Sequence, residues 1–431
     1  MMKKITEEFL HFLWKNQSLA GVTLATDSES KIDVLDPGQH NHDSGPDFFN
    51  GKVQIDGTIW AGNIELHINA SDWLKHGHQD DKSYDSVILH VVYFNDCVIT
   101  RQNGQIIPVA LIKFPSILWE KYNTLLHNDS WIQCQNNFRE IPPVLEAQWI
   151  SRLMIEKLSH KNKILHTYFE KATSHMDDVM NQLLFRCFGL SVNTIPFEMM
   201  ASVIPYTRLL RTKGNQFQLE ALLFGVSGML HTVLPNDIYM QNLNREYTKY
   251  KSTFLEKQVP TQSWKFMRMR PSSFPTIRIA QLASLIHTTY PLTEKLLKTP
   301  SLKTLKNMFR VRAGDYWNTH YLFGKESKHS PKFIGQDFFH RIIINGIVPY
   351  MFFYGKVTMD QQYSDYAISL LEQVPAEKNE ILEKWRKFGL KAHNGLESQG
   401  LLYLFKEYCK HKQCLDCQFG NYLILHGKEA S

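Results

Sequence analysis

Near residue 125 the hydrophobic pattern of this 431-residue chain changes period, and that change limits what it can fold into. From Val22 to about Leu111, short apolar runs are punctuated by Gly, Asp and Asn, the texture of a sheet. Beyond it, apolar residues recur at helical spacing. Pro142-Pro143 precedes Leu145, Trp149 and Leu153, with Ile150 and Met154 alongside. The same texture returns over 179–187, 218–230, 278–287, 331–343 and 401–409, with Pro-bearing irregular links near 189–205, 256–277 and 345–349. The pattern implies an α+β chain, with a mixed α/β sheet domain over 1–125 and a mostly helical domain over 126–431.

Within the first domain, Thr6 is placed to cap a helix whose apolar face is Phe9, Leu10, Leu13 and Trp14. Asp56-Gly57 suits a tight hairpin turn between Lys52–Ile55 and Thr58–Ile68. Val87 to Phe94 is a strong apolar strand, with Asn95-Asp96 turning it toward Cys97–Thr100. A further strand is expected over Ile106–Ile112.

Hydrophobic residues make up 43% of the chain, enough for more than one core, which excludes wholesale disorder. No uncharged apolar run of about 18 residues occurs, and Glu7 and Glu8 stand where a signal peptide needs its apolar core. A soluble, cytoplasmic protein with no membrane partner is expected. The net charge of +6 is unevenly spread. Residues 1–125 hold ten Lys and Arg against sixteen Asp and Glu, and the remainder holds 38 against 26. A basic body joined to an acidic front is compatible with holding a polyanion, DNA or RNA, near a carboxylate-lined site. Two solvated surfaces of ordinary composition would look the same.

The densest chemistry lies between Gly45-Pro46-Asp47 and Glu65-Leu66-His67. Pro46 blocks regular pairing and Gly45 lets the backbone bend, so Asp47 stands at a strand entry beside a loop. In the following strand, alternation sends Asn63, Glu65 and His67 to one face and Ile64, Leu66 and Ile68 to the other. If the hairpin folds Asp47 beside them, three ligand-type side chains converge. Mg2+ or Mn2+ takes oxygen ligands and keeps waters, so two carboxylates suffice to hold one against a phosphodiester. The bland alternative is a half-buried strand whose polar face meets solvent, with Glu65 and His67 paired to neighbours.

Pro46-Asp47, an intervening strand and Glu65-Leu66-His67 together resemble the core of the PD-(D/E)xK nuclease superfamily, a restriction-endonuclease-like fold. The resemblance implies Asp47 and Glu65 as metal carboxylates; with His67 beside them to orient water, stabilise charge or act as a ligand, Asp47, Glu65 and His67 are the candidate catalytic residues. The chain departs from the pattern at His67, which stands where that superfamily carries a lysine, and imidazole is not a permanent cation. A further acidic residue on the first helix is implied more weakly, at Glu8. Over most of its length the chain also resembles a bacterial family of unknown function. The residues that carry this are Gly38–Phe48, Trp60–His67, Asp72–Val92 and Arg268–Ala283.

Asp72-Trp73-Leu74-Lys75-His76-Gly77-His78-Gln79-Asp80-Asp81 follows. His76, His78 and Asp81 are candidate metal ligands, while a polar connecting loop with Asp72 capping a short helix explains the same residues. His90, inside an apolar strand, reads as a hydrogen-bonded core histidine.

In the helical part, Lys265, Arg268, Arg270 and Arg278 interleave with aromatics and methionines, which suits phosphate contact and base stacking. Such residues equally suit a packed surface where Arg stems lie against aromatics. Cys409, Cys414 and Cys417 are spaced to converge on zinc or an iron–sulfur cluster, one ligand short of four. His411, His426 or a distant cysteine would have to complete the set. Three functions remain open: a metal-dependent nuclease-like phosphodiesterase, a non-catalytic nucleic-acid-binding scaffold with a degenerate nuclease fold, and another metal-dependent hydrolase.

Overall fold

The computed structural model describes residues 5–26, 30–101, 103–171, 175–254 and 258–428, without the side chains of 251–254. Two compact units emerge. The first comprises Met1–Trp149 with Lys387–Leu390 and Leu402–Ser431; the second comprises Ile150–Arg386 with Lys391–Leu401.

The first unit opens with α1 (Glu7–Lys15), where the Thr6 hydroxyl accepts from the Phe9 N–H and Phe9, Leu10, Phe12, Leu13 and Trp14 are buried. After α2 (Gln17–Ala20) come β1 (Thr23–Ala25), β2 (Ile32–Asp36), β3 (Gln39–His40), β4 (Phe48–Ile55) and β5 (Thr58–Asn69). The chain then forms α3 (Asp72–Lys75), β6 (Val87–Phe94), β7 (Val109–Lys113) and α4 (Ser116–Leu126). The sheet runs β1-β7-β6-β5-β4-β2, with β3 on β4. The β4–β5 hairpin turns through Asp56 and Gly57, both at positive φ, as its Asp-Gly dipeptide predicts. The β2–β4–β5 strands are antiparallel, whereas β6 lies parallel to β5 and β7 parallel to β6.

The parallel β6–β7 pair differs from a simple turn-back after Asn95-Asp96. The described residues of 97–107 form no strand of their own, apart from an isolated bridge between Thr100 and Ile106. Instead Ile99 and Ile107 bury themselves with Trp73, Tyr84 and Val87. Burying those two side chains in a second small core outweighs continuing the hairpin, so the strand is delayed to Val109.

The first unit also extends past residue 125 and takes in the C-terminus. Trp131 stacks on Phe388 and Phe405, Phe138 meets Phe419 edge-on, and the Lys121 ammonium donates to the Gly427 carbonyl. These partners are separated by more than 250 residues, a distance over which sequence periodicity carries no signal.

The second unit is helical around one large core. Its helix Pro275–Thr289 is buried on nearly every side. Two stretches that read as irregular are helical. Thr194–Val203 carries Pro196 in its first turn, where the missing N–H has no partner to lose. Gln336–Ile342 continues through a π-turn at Ile343–Ile347 into Val348–Thr358, with Pro349 again near a segment start. No helix among the described residues is long and apolar enough to cross a membrane.

Candidate metal centre

Asp47 is delivered by a tightly pinned loop. The Asn41 amide donates to the carbonyls of Asp43, Ser44 and Pro46, its oxygen accepts from the Asp43 N–H, and its own N–H donates to the Asp47 carbonyl. Gly45 sits at φ +102°, a conformation that disfavours other residues. The loop then enters β4 opposite β5, with Phe48 paired to Ile64.

Asp47 and Glu65 are locked across the two strands by backbone N–H groups. The Asp47 N–H donates to Glu65 Oε2 at 3.0 Å, and the Leu66 N–H donates to Asp47 Oδ2 at 2.9 Å. The sequence alternation places Glu65 and His67 on one face as expected, but that face does not meet solvent. Glu65 is 3% and His67 2% exposed, and Ile64 and Leu66 on the opposite face are buried as well. The bland alternative of a solvated polar face therefore does not hold.

The segment between β5 and β6 supplies the next two imidazoles. Gly77 adopts φ +75° between α3 and a short 3-10 turn at His78–Asp80. This reversal brings His76 Nδ1 to 3.0 Å from His67 Nε2 and His78 Nε2 to 3.2 Å from Glu65 Oε1. His67 Nε2 lies 3.6 Å from the same Glu65 oxygen. One donor atom from each of His67, His76 and His78 lies within 4.8 Å of the others, the separation of ligands around one metal ion. The ring of His78 stacks on Tyr84 at 3.8 Å and meets Trp73 edge-on.

Behind the cluster, His67 Nδ1 is 2.8 Å from His90 Nε2, and His90 is fully buried against Trp73. From α1, His11 Nε2 approaches Asp47 Oδ2 at 3.1 Å. Glu7, one turn before it, interacts electrostatically with His76, Asp47 and His11.

The electrostatics follow from burial. Desolvation and then the Asp47 charge push the Glu65 carboxyl up to about 9. Desolvation and the surrounding imidazoles bring His67 down to about 2, and desolvation brings His90 down to about 3. Burial also lowers His78. These imidazoles are thus held neutral, with lone pairs available to a cation, and the carboxyl beside them resists ionisation until a positive charge enters.

Asp47, Glu65, His67, His76 and His78 therefore meet in one place. Asp81 does not join them. It is exposed, and its carboxylate accepts from the Ser83 N–H and hydroxyl as the cap of the turn at Lys82–Tyr84. Asp72 is likewise spent on Asn69 and Lys75. Glu8 is exposed; the face of α1 that reaches the cluster carries Glu7 and His11 instead. Their i, i+4 spacing was the signal that could have identified both.

In the second unit, Lys265, Arg268 and Arg270 are exposed. Arg278 is not presented to a ligand. It is 7% exposed, its guanidinium lies 3.6 Å over the Phe338 ring, and it donates to Gln281 and Ser273. Burial, followed by the Arg341 charge, lowers it to about 10. Cys409, Cys414 and Cys417 line a small cavity of their own.

No curated protein and no solved structure matches the chain. One family model does, over residues 7–380, a span that contains the whole acidic and histidine cluster. The chain belongs to the family described as Protein of unknown function (DUF2851).

Proposed function

We propose that this protein is a metal-dependent hydrolase of the nuclease-like kind, acting on phosphodiesters of DNA or RNA at the Glu65, His67, His76 and His78 cluster. The observation that carries the reading is the spacing of its donor atoms. Nitrogen ligands about 2.0–2.1 Å from a tetrahedral Zn2+ stand about 3.3 Å apart. His67–His76, Glu65–His78 and Glu65–His67 stand 3.0, 3.2 and 3.6 Å apart, and the three imidazole donors all lie within 4.8 Å of one another. Three imidazoles with one carboxylate suit Zn2+ or a similar transition ion better than Mg2+, which prefers oxygen ligands and retained waters. Two carboxylates alone pointed to Mg2+ or Mn2+; the added imidazoles shift the preference.

Such an ion, when bound, would supply Lewis-acid polarisation of a phosphodiester. The protein's own groups have separate tasks. His90 holds the His67 ring through Nδ1, leaving Nε2 toward the cluster. Asp47 positions Glu65 through its backbone N–H. His11 Nε2 stands 3.1 Å from Asp47 Oδ2, beside the carboxylate that the Leu66 N–H orients.

Support for a phosphodiester over other substrates comes from two features. Asp47 at the entry of β4 and Glu65 on the neighbouring β5 support the reading, because the nuclease resemblance implies a metal carboxylate on each of two successive strands. The excess of basic residues beyond 125 suits a polyanion.

The test is hydrolysis of single- and double-stranded DNA and RNA with Zn2+, Mn2+ or Mg2+, alongside metal titration of the wild type and of Glu65→Ala and His76→Ala/His78→Ala. Metal-dependent cleavage lost in both variants supports the reading. Metal stoichiometry and affinity unchanged from the wild type in both variants removes the centre from this place. Salt-sensitive nucleic-acid binding without cleavage replaces the enzyme with the degenerate scaffold.

A further inference from the structure

Cys134 is followed by a 3-10 turn at Gln135–Glu140, and it lies 275 residues before Cys409. Folding brings it to the cysteines of the C-terminal segment. Cys134, Cys409, Cys414 and Cys417 line one cavity of about 20 Å3, together with Gln133, Tyr408, Gln413 and Gly420. All four are free thiols, and Cys134, Cys414 and Cys417 are buried. Four free thiols lining one cavity, three of them buried, are an unusual use of cysteine, because each would pack equally well against aliphatic neighbours.

The backbone around them is shaped to the sulfurs. A π-turn at Leu404–Tyr408 passes into a 3-10 turn at Cys409–His411, and Lys412 at φ +56° reverses the chain toward Cys414. Cys417 caps the helix Gln418–His426. Gly420 is required there, since a Cβ would stand 2.1 Å from the Cys414 carbonyl oxygen.

We propose that Cys134, Cys409, Cys414 and Cys417 form a four-thiolate metal centre, with Zn2+ as the ion and Cys134 as the fourth ligand. Thiolates bind Zn2+ tetrahedrally at about 2.3 Å, and four protein ligands close the coordination sphere of a structural site. The cavity has room for about one water-sized body, which fits a single ion rather than an eight-atom iron–sulfur cube. The centre ties the turn after Cys134 to the C-terminal helix within the first unit, and it stands independently of the hydrolase reading.

The experiment measures metal content of the full chain in a His76→Ala/His78→Ala background, so that the imidazole cluster does not contribute. One zinc per chain is expected, lost on adding Cys134→Ser and kept on adding Cys97→Ser. Because Cys134→Ser can unfold the unit, Co2+ exchanged into the background protein provides a second readout. Four thiolates give an intense near-ultraviolet charge-transfer band with tetrahedral visible bands. Absence of any metal, a cobalt spectrum without thiolate character, or zinc retained by Cys134→Ser overturns the centre. Iron with acid-labile sulfide overturns the zinc assignment.

Discussion

Replacing His90 by Phe tests whether His67 is a metal ligand, because it removes one acceptor and little else. His90 Nε2 lies 2.8 Å from His67 Nδ1, with both residues almost wholly buried. Phe retains a ring of similar size against Trp73, whose centroid is 5.4 Å from that of His90. With Nε2 turned toward the ion, His67 carries its proton on Nδ1, and Phe leaves that buried N–H with no acceptor. An unsatisfied buried donor costs about 1–3 kcal/mol of folding free energy. The larger consequence is for the metal. Outer hydrogen-bond partners of ligating histidines typically contribute 10–100-fold to affinity, or about 1.4–2.8 kcal/mol at ~1.4 kcal/mol per tenfold. Isothermal titration with Zn2+ of protein whose cysteine centre is already loaded measures that loss. Urea unfolding without added metal measures the folding cost separately. If His90→Phe lowers stability while Kd for Zn2+ stays within experimental error, His67 is not held as a ligand by His90 and the assignment of the centre fails.

Other outcomes follow from the same geometry. Replacing Lys265, Arg268 and Arg270 together by Gln is expected to reduce the salt slope of duplex binding by about 0.9 for each lost phosphate contact. Arg278→Met should leave that slope unchanged and lower the unfolding midpoint, since its guanidinium is buried over Phe338; a changed slope would place Arg278 on the nucleic acid after all. Gly38→Ala puts a Cβ 2.5 Å from the Phe49 carbonyl at a residue with φ +84°, so thermal denaturation should show a loss of about 1–3 kcal/mol. Full stability in that variant would mean the β3–β4 approach is looser than described.

Glu220 gives the pH dependence. It is buried and accepts from Tyr239, Trp317 and Gln216, and desolvation raises its carboxyl above the ordinary 4.5. The folded state then binds more protons than the unfolded state above that value. Its contribution to stability is most favourable below 4.5 and declines as pH rises toward the folded-state value. Urea unfolding between about pH 5 and 8 should show this decline in the wild type and a flatter profile in Glu220→Gln. Identical profiles would show that its three hydrogen bonds cancel the desolvation.

Much was legible in the sequence because it is local. Alternation placed Glu65 and His67 on one face, Asp-Gly marked the hairpin, and Thr6 marked the start of α1. The sheet-to-helix change likewise reflects a periodicity that needs no partner to be seen, although the structure places it between Lys113 and Ser116 rather than near residue 125. Tertiary structure decided the rest. Glu65 is buried rather than solvated because α1 and the segment after β5 cover its strand, and that burial is what shifts its protonation. His11 and Glu7 enter the cluster only because α1 packs on β5. The parallel β6–β7 pair follows from burying Ile99 and Ile107 beside Trp73. The cysteines show the division most clearly. Spacing alone brought Cys409, Cys414 and Cys417 together, while Cys134 joins them across 275 residues through chain packing that no local periodicity records.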